Sequence, residues 1–159
     1  MNDAAQKRAT PNCPLHTPLV RVASISDVSF DDSGFWSTTD RETTIEWRNV
    51  IKVAWGYEIH PIAIADWDFW AFQTPDPEIT YWVYTDFSSP FSSHVITRFR
   101  IVSPPPMNQW NDDDRSIRTY VVWPEESIAQ SMYTNVKEHW WSWSRKLAYS
   151  QSMIAPNAT

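Results

Sequence analysis

Two carboxylates and one imidazole are the residues of this chain whose types and spacing could support chemistry. Asp66 and Asp68 flank Trp67, and His60 comes shortly before them. Side chains alternate between the two faces of a strand, so both aspartates would share one face and Trp67 would take the other. Paired carboxylates can exchange protons with a substrate or bind a cation. A hydrolase or isomerase built on Asp66, Asp68 and His60 is therefore one hypothesis.

The indole between the two carboxylates favours a simpler interpretation. If Trp67 is buried, Asp66 and Asp68 lie on the solvent face at the start of a strand, where carboxylates are common. We therefore expect this pair to be solvated and accessible to a partner rather than catalytic.

No other group has the spacing that a metal ion or a nucleophile requires. The four histidines show neither the His-x-His nor the His-x-x-x-His pattern. The one cysteine, Cys13, excludes an internal disulfide and a multi-cysteine zinc site. The Gly-x-Ser-x-Gly turn of serine hydrolases does not occur either. We predict no catalytic residue, no metal site and no cofactor.

An acidic run, Asp112, Asp113 and Asp114, is superficially similar to a calcium loop. It lacks the alternating ligands, the central glycine and the distal glutamate that such a loop needs. Two interpretations stay open, a solvated acidic loop and a contact with a basic partner.

The eleven tryptophans are a second candidate for a binding surface. A carbohydrate platform needs exposed indoles beside polar side chains, whereas most of these indoles fall at strand or helix positions where burial is usual. Trp141 lies off the helical stripe, and we expect it at a contact surface. A small-ligand or carbohydrate-binding domain that uses exposed tryptophans is the alternative functional hypothesis.

Positioning these residues requires a sheet followed by helices. The stretch from about residue 20 to 86 is rich in β-branched and aromatic residues, and it predicts an antiparallel sheet with a hairpin in "DFWAFQTPDPEITYWVYTD". Residues 90–102 predict an amphipathic helix with Ser88 or Ser89 as N-cap, Pro90 at its first position and a proline triplet beyond its end. A second helix is predicted at 131–149 from an apolar stripe of Met132, Val136, Trp140, Trp143 and Leu147.

Length and charge limit the classes of protein. A chain of 159 residues fits one domain, here 19–149, between a disordered N-terminal arm at 1–18 and a flexible tail at 150–159. The net charge of −6 disfavours nucleic acid and anionic membranes as partners, and it suits a basic protein. The first residues contain no apolar signal segment, and no apolar stretch approaches a bilayer span, so we expect a cytoplasmic protein.

The order of segments resembles a family of small bacterial proteins of unknown function. The quoted segments are "IEWRNVIKVAW", the hairpin above, the helix "SSHVITRFRIV" and "VVWPEESIAQSMY", within about residues 26 to 133. Several members of that group are immunity proteins of polymorphic toxin systems, and their sheet resembles a pleckstrin-homology-like half-barrel. This chain departs from the pattern in its tryptophan content, its additional C-terminal helix and Ala129, where the related segment usually has glycine.

The resemblance implies an α+β fold with a strongly curved antiparallel sheet, one packed helix and a C-terminal helix. It also implies a non-enzymatic, protein-binding module, in its finer form an immunity protein that neutralises a basic toxin domain. A homodimer is compatible with the same features. The expected partner-contacting residues are Asp66, Asp68, Asp112, Asp113, Asp114 and Trp141.

Overall fold

The computed structural model describes residues 19–40, 43–59, 66–76, 78–102, 117–135 and 147–149. The described strands are β1 Leu19–Ile25, β2 Val28–Phe30, β3 Gly34–Ser37, β4 Thr44–Glu46, β5 Lys52–Ile59, β6 Asp66–Gln73, β7 Ile79–Tyr84, β8 Ile117–Trp123, β9 Tyr133–Asn135 and β10 Leu147–Tyr149. The described helix is α1, Pro90–Arg98, and short 3₁₀ turns lie at Trp47–Asn49 and Glu125–Ser127. The arm and tail expected at 1–18 and 150–159 lie outside these ranges.

The strands form two sheets. A seven-stranded sheet has the order β8-β5-β6-β7-β1-β10-β9, and a three-stranded antiparallel sheet has the order β2-β3-β4. The predicted hairpin is confirmed, since β6 and β7 pair antiparallel from Phe69 opposite Tyr84 to Gln73 opposite Thr80. The coarse prediction of a sheet-dominated α+β fold is therefore confirmed.

The prediction of a wholly antiparallel sheet is wrong at one pair. β1 runs parallel to β7, from Arg21 opposite Ile79 to Ile25 opposite Val83. A parallel pair needs a long crossover connection, and here the chain from β2 to β6 supplies it. The large sheet is therefore mixed.

One face of the large sheet carries an aromatic core. Trp55 and Trp70 meet edge to face with ring centres 4.8 Å apart, and Phe72 contacts Phe35 of the small sheet at 4.7 Å. The indole N–H of Trp70 donates to Ser92 Oγ at 2.8 Å, which fixes α1 on the same face. This face is therefore covered by both the small sheet and the helix.

The opposite face of the large sheet is also buried. Phe69 stacks on Trp82 with ring centres 4.1 Å apart, and Val121 and Met132 are fully enclosed beside them. A Cβ on Gly56 would collide with the Phe69 ring, so glycine at this position lets the ring cross β5. Because both faces are apolar, β6 reads as a continuous buried run from Phe69 to Phe72 rather than an alternating strand.

The first predicted helix is confirmed, with a shorter C-terminal end than expected. Ser89 is the N-cap, its Oγ accepting the Ser92 N–H at 3.1 Å, and Pro90 opens the helix. The helix ends at Arg98, because Arg100 adopts a left-handed conformation with φ of 52° before the proline triplet is reached.

The second predicted helix is wrong at both of its ends. Tyr133–Asn135 and Leu147–Tyr149 are strands that pair antiparallel with each other, and β10 also pairs with β1. Residues 136–146, with Val136, Trp140 and Trp143, lie outside the described residues. The reason is tertiary, since the edge of β1 offers backbone hydrogen bonds that the apolar periodicity of the segment does not encode.

The two end strands of the large sheet are β8 and β9. Near the two end strands, the Met132 N–H donates to Thr119 Oγ1 of β8 at 2.7 Å. Among the described residues no strand ladder joins β8 to β9, so the sheet is not a closed barrel. No helix in the described ranges is long and apolar enough to span a membrane.

Candidate functional site

The structure reverses the expected orientation at the start of β6. Trp67 is 47% exposed and Asp68 is partly buried, so the indole rather than this carboxylate faces solvent. Asp66 opens β6 opposite Ile59, and Asp68 lies opposite Tyr57. The reversal follows from the burial of β6 on both faces, because Trp67 lies on the Phe69 side but at the end of the strand, beyond the packed core.

The remaining candidate residues from the sequence are not brought together by the described structure. His60, Asp112, Asp113, Asp114 and Trp141 all lie outside the described residues. No group of three or more possible metal ligands occurs in the part of the chain that the structure describes. Their roles therefore stay predictions.

Two adjoining clefts at the C-terminal end of α1 form the candidate site. We call the first the apolar cleft; it has a volume of about 540 Å³ and is lined by Phe99, Ile101, Val102, Tyr120, Val122, Trp123 and Ile128, with Arg100 and Glu125. We call the second the cationic cleft; it has a volume of about 890 Å³ and is lined by Arg48, Arg98, Arg100, His94, Trp47, Asp32, Val50, Thr97, Phe99 and Trp123. Phe99, Arg100 and Trp123 belong to both.

The end of α1 places Arg100 in the wall that the two clefts share. The Ile101 N–H donates to Ile96 O at 3.0 Å and the Arg100 N–H donates to Thr97 O at 3.3 Å. This pair of bonds is a Schellman ending, and it requires a left-handed residue at the position of Arg100. Glycine is usual there, so the arginine holds a conformation that its side chain disfavours.

The segment after β8 forms the opposite rim of the apolar cleft. Val121 pairs its N–H with Gln130 O and accepts the Ala129 N–H, each at 3.0 Å. Ala129 has φ of 69°, which folds residues 124–130 back beside β8 and leaves Ile128 46% exposed at the rim. On the cleft floor, Trp123 contacts Phe99 with ring centres 5.0 Å apart.

Aromatic rings support the cations of the second cleft. The Arg98 guanidinium lies over the ring of Trp47, 5.6 Å from its centre. His94 packs between Trp47 and Phe30 at 5.4 and 5.1 Å, and its Nε2 is buried without a hydrogen-bond partner in the described structure. Arg48 forms an ion pair with Glu46 at the exposed rim.

The local charge of the cationic cleft is opposite to that of the protein. Three arginines and one aspartate line it, and Glu46 pairs with Arg48 at its rim, which leaves +1 when histidine is counted as neutral, as it is in the −6 of the whole chain. The nearest buried lysine does not contribute, because Lys52 is 4% exposed and lines neither cleft. Burial lowers the pKa of Lys52 below 10.5, and the charge of Glu126 opposes this.

Sequence reasoning missed this site. The available signal was "TRFRIV", in which Arg98 and Arg100 flank Phe99 at the end of the helix. Arg48 directly follows Trp47 in the same way. The sequence patterns place Arg98 and Arg100 in the predicted helix and Arg48 in the predicted sheet. No local pattern predicts that these two segments lie side by side.

No protein-family model, curated protein or solved structure matches this chain. The family resemblance of the sequence segments therefore stays a prediction. The functional interpretation depends on the clefts themselves.

Proposed function

We propose that this protein is a non-enzymatic module that binds another protein through the apolar cleft. The observation that carries the proposal is an open cleft with aromatic walls and exposed aliphatic rim residues. Ile128 is 46% exposed and Val102 is 98% exposed, and both line the cleft. Apolar side chains clustered around a concave aromatic surface are typical of the places where a partner inserts an anchoring side chain.

The composition of the cleft also suits a protein partner. Aromatic residues and arginine contribute most of the binding energy in protein interfaces, and Phe99, Trp123 and Arg100 meet here. Asp68 lines neither cleft, so the concave surface and this candidate carboxylate are separate. This separation favours binding over hydrolysis.

The finer form of the proposal is an immunity protein that neutralises a toxin. It is supported by the order of sequence segments and by the net charge of −6, which would steer the protein toward a basic toxin domain. A pleckstrin-homology-like curvature of the large sheet belongs to the same proposal, as does a cytoplasmic location.

The test is affinity capture from the native host with matched charge variants. Ile128→Glu places a carboxylate in the apolar cleft, whereas Ile51→Glu places one at Ile51, which is 37% exposed and lines neither cleft. We expect wild type and Ile51→Glu to capture a stoichiometric protein partner that Ile128→Glu does not. The proposal is wrong if no such partner is recovered at low or physiological salt, or if Ile128→Glu captures it equally.

A carbohydrate or small-ligand function is the second candidate, and Trp67 favours it. Its exposed ring lies edge-on to Tyr84 with ring centres 5.8 Å apart, and the Tyr84 hydroxyl donates to Glu58 Oε2 at 3.0 Å. Glu58 is 6% exposed and holds the Tyr84 hydroxyl in place, so the exposed indole is the group that can stack on a sugar ring.

Fluorescence titration against a glycan and metabolite panel tests this second candidate. A ligand that shifts the emission of wild type, but not that of Trp67→Ala, would support it. A panel without any effect on wild type would remove it.

A further inference from the structure

The cationic cleft is a basic site on an acidic protein, and it lies beside the apolar cleft. Together the two clefts indicate the chemistry of a bound partner. A net charge of −6 disfavours anions over most of the surface, so Arg98 and Arg100 beside one concavity are the groups that can accept an anionic segment, while Arg48 is paired with Glu46. Because the clefts share Phe99, Arg100 and Trp123, one bound segment can occupy both.

Arg98 and Arg100 carry exposed guanidinium groups that can pair with carboxylates. The Arg98 guanidinium lies over the ring of Trp47, and this contact leaves its N–H donors for an acceptor. Arg98 and Arg100 are both exposed and flank Phe99. A planar guanidinium pairs with a carboxylate through two parallel hydrogen bonds, which gives directional recognition.

The backbone of Arg100 gives an independent argument. Its φ of 52° is a conformation that glycine adopts without steric cost, yet the chain has arginine there. Backbone strain of this kind concentrates at functional sites, where the side chain has a role that compensates for it. The side chain of Arg100 lines both clefts, which places that role in binding.

We propose that the partner segment bound here is an acidic peptide, whose carboxylates pair with Arg98 and Arg100 while an adjoining apolar side chain fills the apolar cleft. This inference rests on the proposed protein-binding function and names the chemistry of its partner. The net charge of the chain suits a partner that is basic overall. Such a partner would still present an acidic segment to this surface.

Selection from a random peptide display library on the full chain identifies the preferred chemistry. We expect the selected peptides to be enriched in aspartate and glutamate next to an aromatic or aliphatic residue. The affinity of a selected peptide is then measured by fluorescence anisotropy at low and high salt. Screening of the exposed arginines should weaken binding at high salt.

Charge variants of the full chain test the site. We expect Arg100→Glu to lower the affinity about tenfold or more, since a charge-assisted pair is replaced by repulsion. Arg21→Glu makes the same charge change at an exposed position of β1 outside both clefts and should have little effect. Arg100→Lys, which keeps the charge, should retain part of the affinity.

Arg100→Gly separates binding from folding. Relief of the left-handed strain should raise Tm by about 2–4 °C, while loss of the guanidinium lowers the peptide affinity. A variant that is more stable yet binds less cannot owe its loss of binding to misfolding.

The outcomes distinguish this inference from the function on which it rests. Selected peptides without acidic enrichment, or equal affinities of Arg100→Glu and Arg21→Glu, would overturn the acidic partner and leave the protein-binding function in place. If wild type selects no peptide at all, the acidic-peptide proposal fails, whereas the protein-binding function is decided by whether wild type captures a partner that Ile128→Glu does not.

Discussion

At the scale of single residues, the clefts are shaped by unusual backbone conformations. Arg100 and Ala129 are the non-glycine residues with positive φ in the described part of the chain. Arg100 lines both clefts, and Ala129 directly follows Ile128 at the rim of one of them. The φ of 69° at Ala129 is a conformation that glycine adopts without steric cost and alanine does not.

Ala129→Gly should therefore stabilise the protein. Removing the Cβ relieves a left-handed strain of about 1–2 kcal/mol, and the greater freedom of glycine in the unfolded chain offsets part of it. We expect the free energy of unfolding to rise by up to about 1 kcal/mol in urea titrations. Ala23→Gly in β1, where φ is negative, is the control and should lower it. Equal losses in both variants would contradict the strain at Ala129.

Asp31 gives the fold a pH dependence that can be measured. Its Oδ1 accepts from Ser33 Oγ at 2.6 Å, from the Ser33 N–H at 2.7 Å and from the Gly34 N–H at 3.1 Å. The Ser33 hydroxyl and then the Ser33 backbone hold the pKa of Asp31 below its ordinary 3.8. The stabilisation is therefore complete well above pH 3.8 and is lost as the pH falls through the lowered folded-state pKa.

We expect wild type to be more stable than Asp31→Asn near neutral pH and to lose that advantage below pH 3.8. Unfolding followed as a function of pH measures the difference between the two proteins. Asp32→Asn, at the exposed neighbouring position, controls for the loss of one negative charge. A stability difference that widens toward acid pH would show that folding does not lower the pKa of Asp31.

At the scale of elements, α1 connects the aromatic core to the clefts. Its N-terminus is fixed by Ser89, and its C-terminus presents Arg98, Phe99 and Arg100. The N-cap was predictable because Ser, then Pro, then an apolar stripe is a local pattern.

Ser89→Ala should destabilise the protein by about 1 kcal/mol, since the Ser92 N–H loses its side-chain acceptor. Thermal unfolding measures the change. Ser93→Ala is the matched control, because the Ser93 hydroxyl is exposed and only donates back to Ser89 O within the helix. If the two variants have the same Tm, the cap at Ser89 does not stabilise the helix.

The C-terminal elements show the limit of local patterns. An apolar stripe from Met132 to Leu147 predicts a helix, and the described parts of that segment are instead the strands β9 and β10. Strands of three residues carry too few side chains for a period to be recognised. They form because β1 offers an unpaired edge, which is a property of the assembled sheet.

At the scale of the whole molecule, the second core attaches the C-terminal strands to the sheet. The indole N–H of Trp82 in β7 donates to the Tyr133 hydroxyl at 3.0 Å, and these residues are 3% and 4% exposed. This contact joins positions about fifty residues apart in sequence.

Tyr133→Phe should destabilise the protein by about 1–3 kcal/mol, because the buried Trp82 N–H loses its acceptor. Urea unfolding followed by tryptophan fluorescence measures this change. Tyr81→Phe, which changes a half-buried tyrosine of β7 next to Trp82, is the control and should cost less. A smaller loss in Tyr133→Phe than in Tyr81→Phe would mean that β9 packs only weakly on this face.

The sequence by itself determined the elements in which apolar side chains recur at a regular spacing of a few residues. These are the strands around Trp55 and Trp70, the β6–β7 hairpin, the start of α1 and the burial of most of the described tryptophans. Local periodicity is sufficient there, because each pattern depends on neighbours two to four residues away.

Only the tertiary structure decided the parallel pairing of β1 with β7, the C-terminal strands and the cationic cleft. Arg48 and Arg98 lie fifty residues apart and meet because the turn after β4 and the end of α1 pack on the same aromatic core. Net charge and residue spacing depend on the linear sequence alone, whereas a binding site depends on which distant segments share a surface. The sequence therefore indicated an acidic protein, and the fold gave that protein a basic cleft.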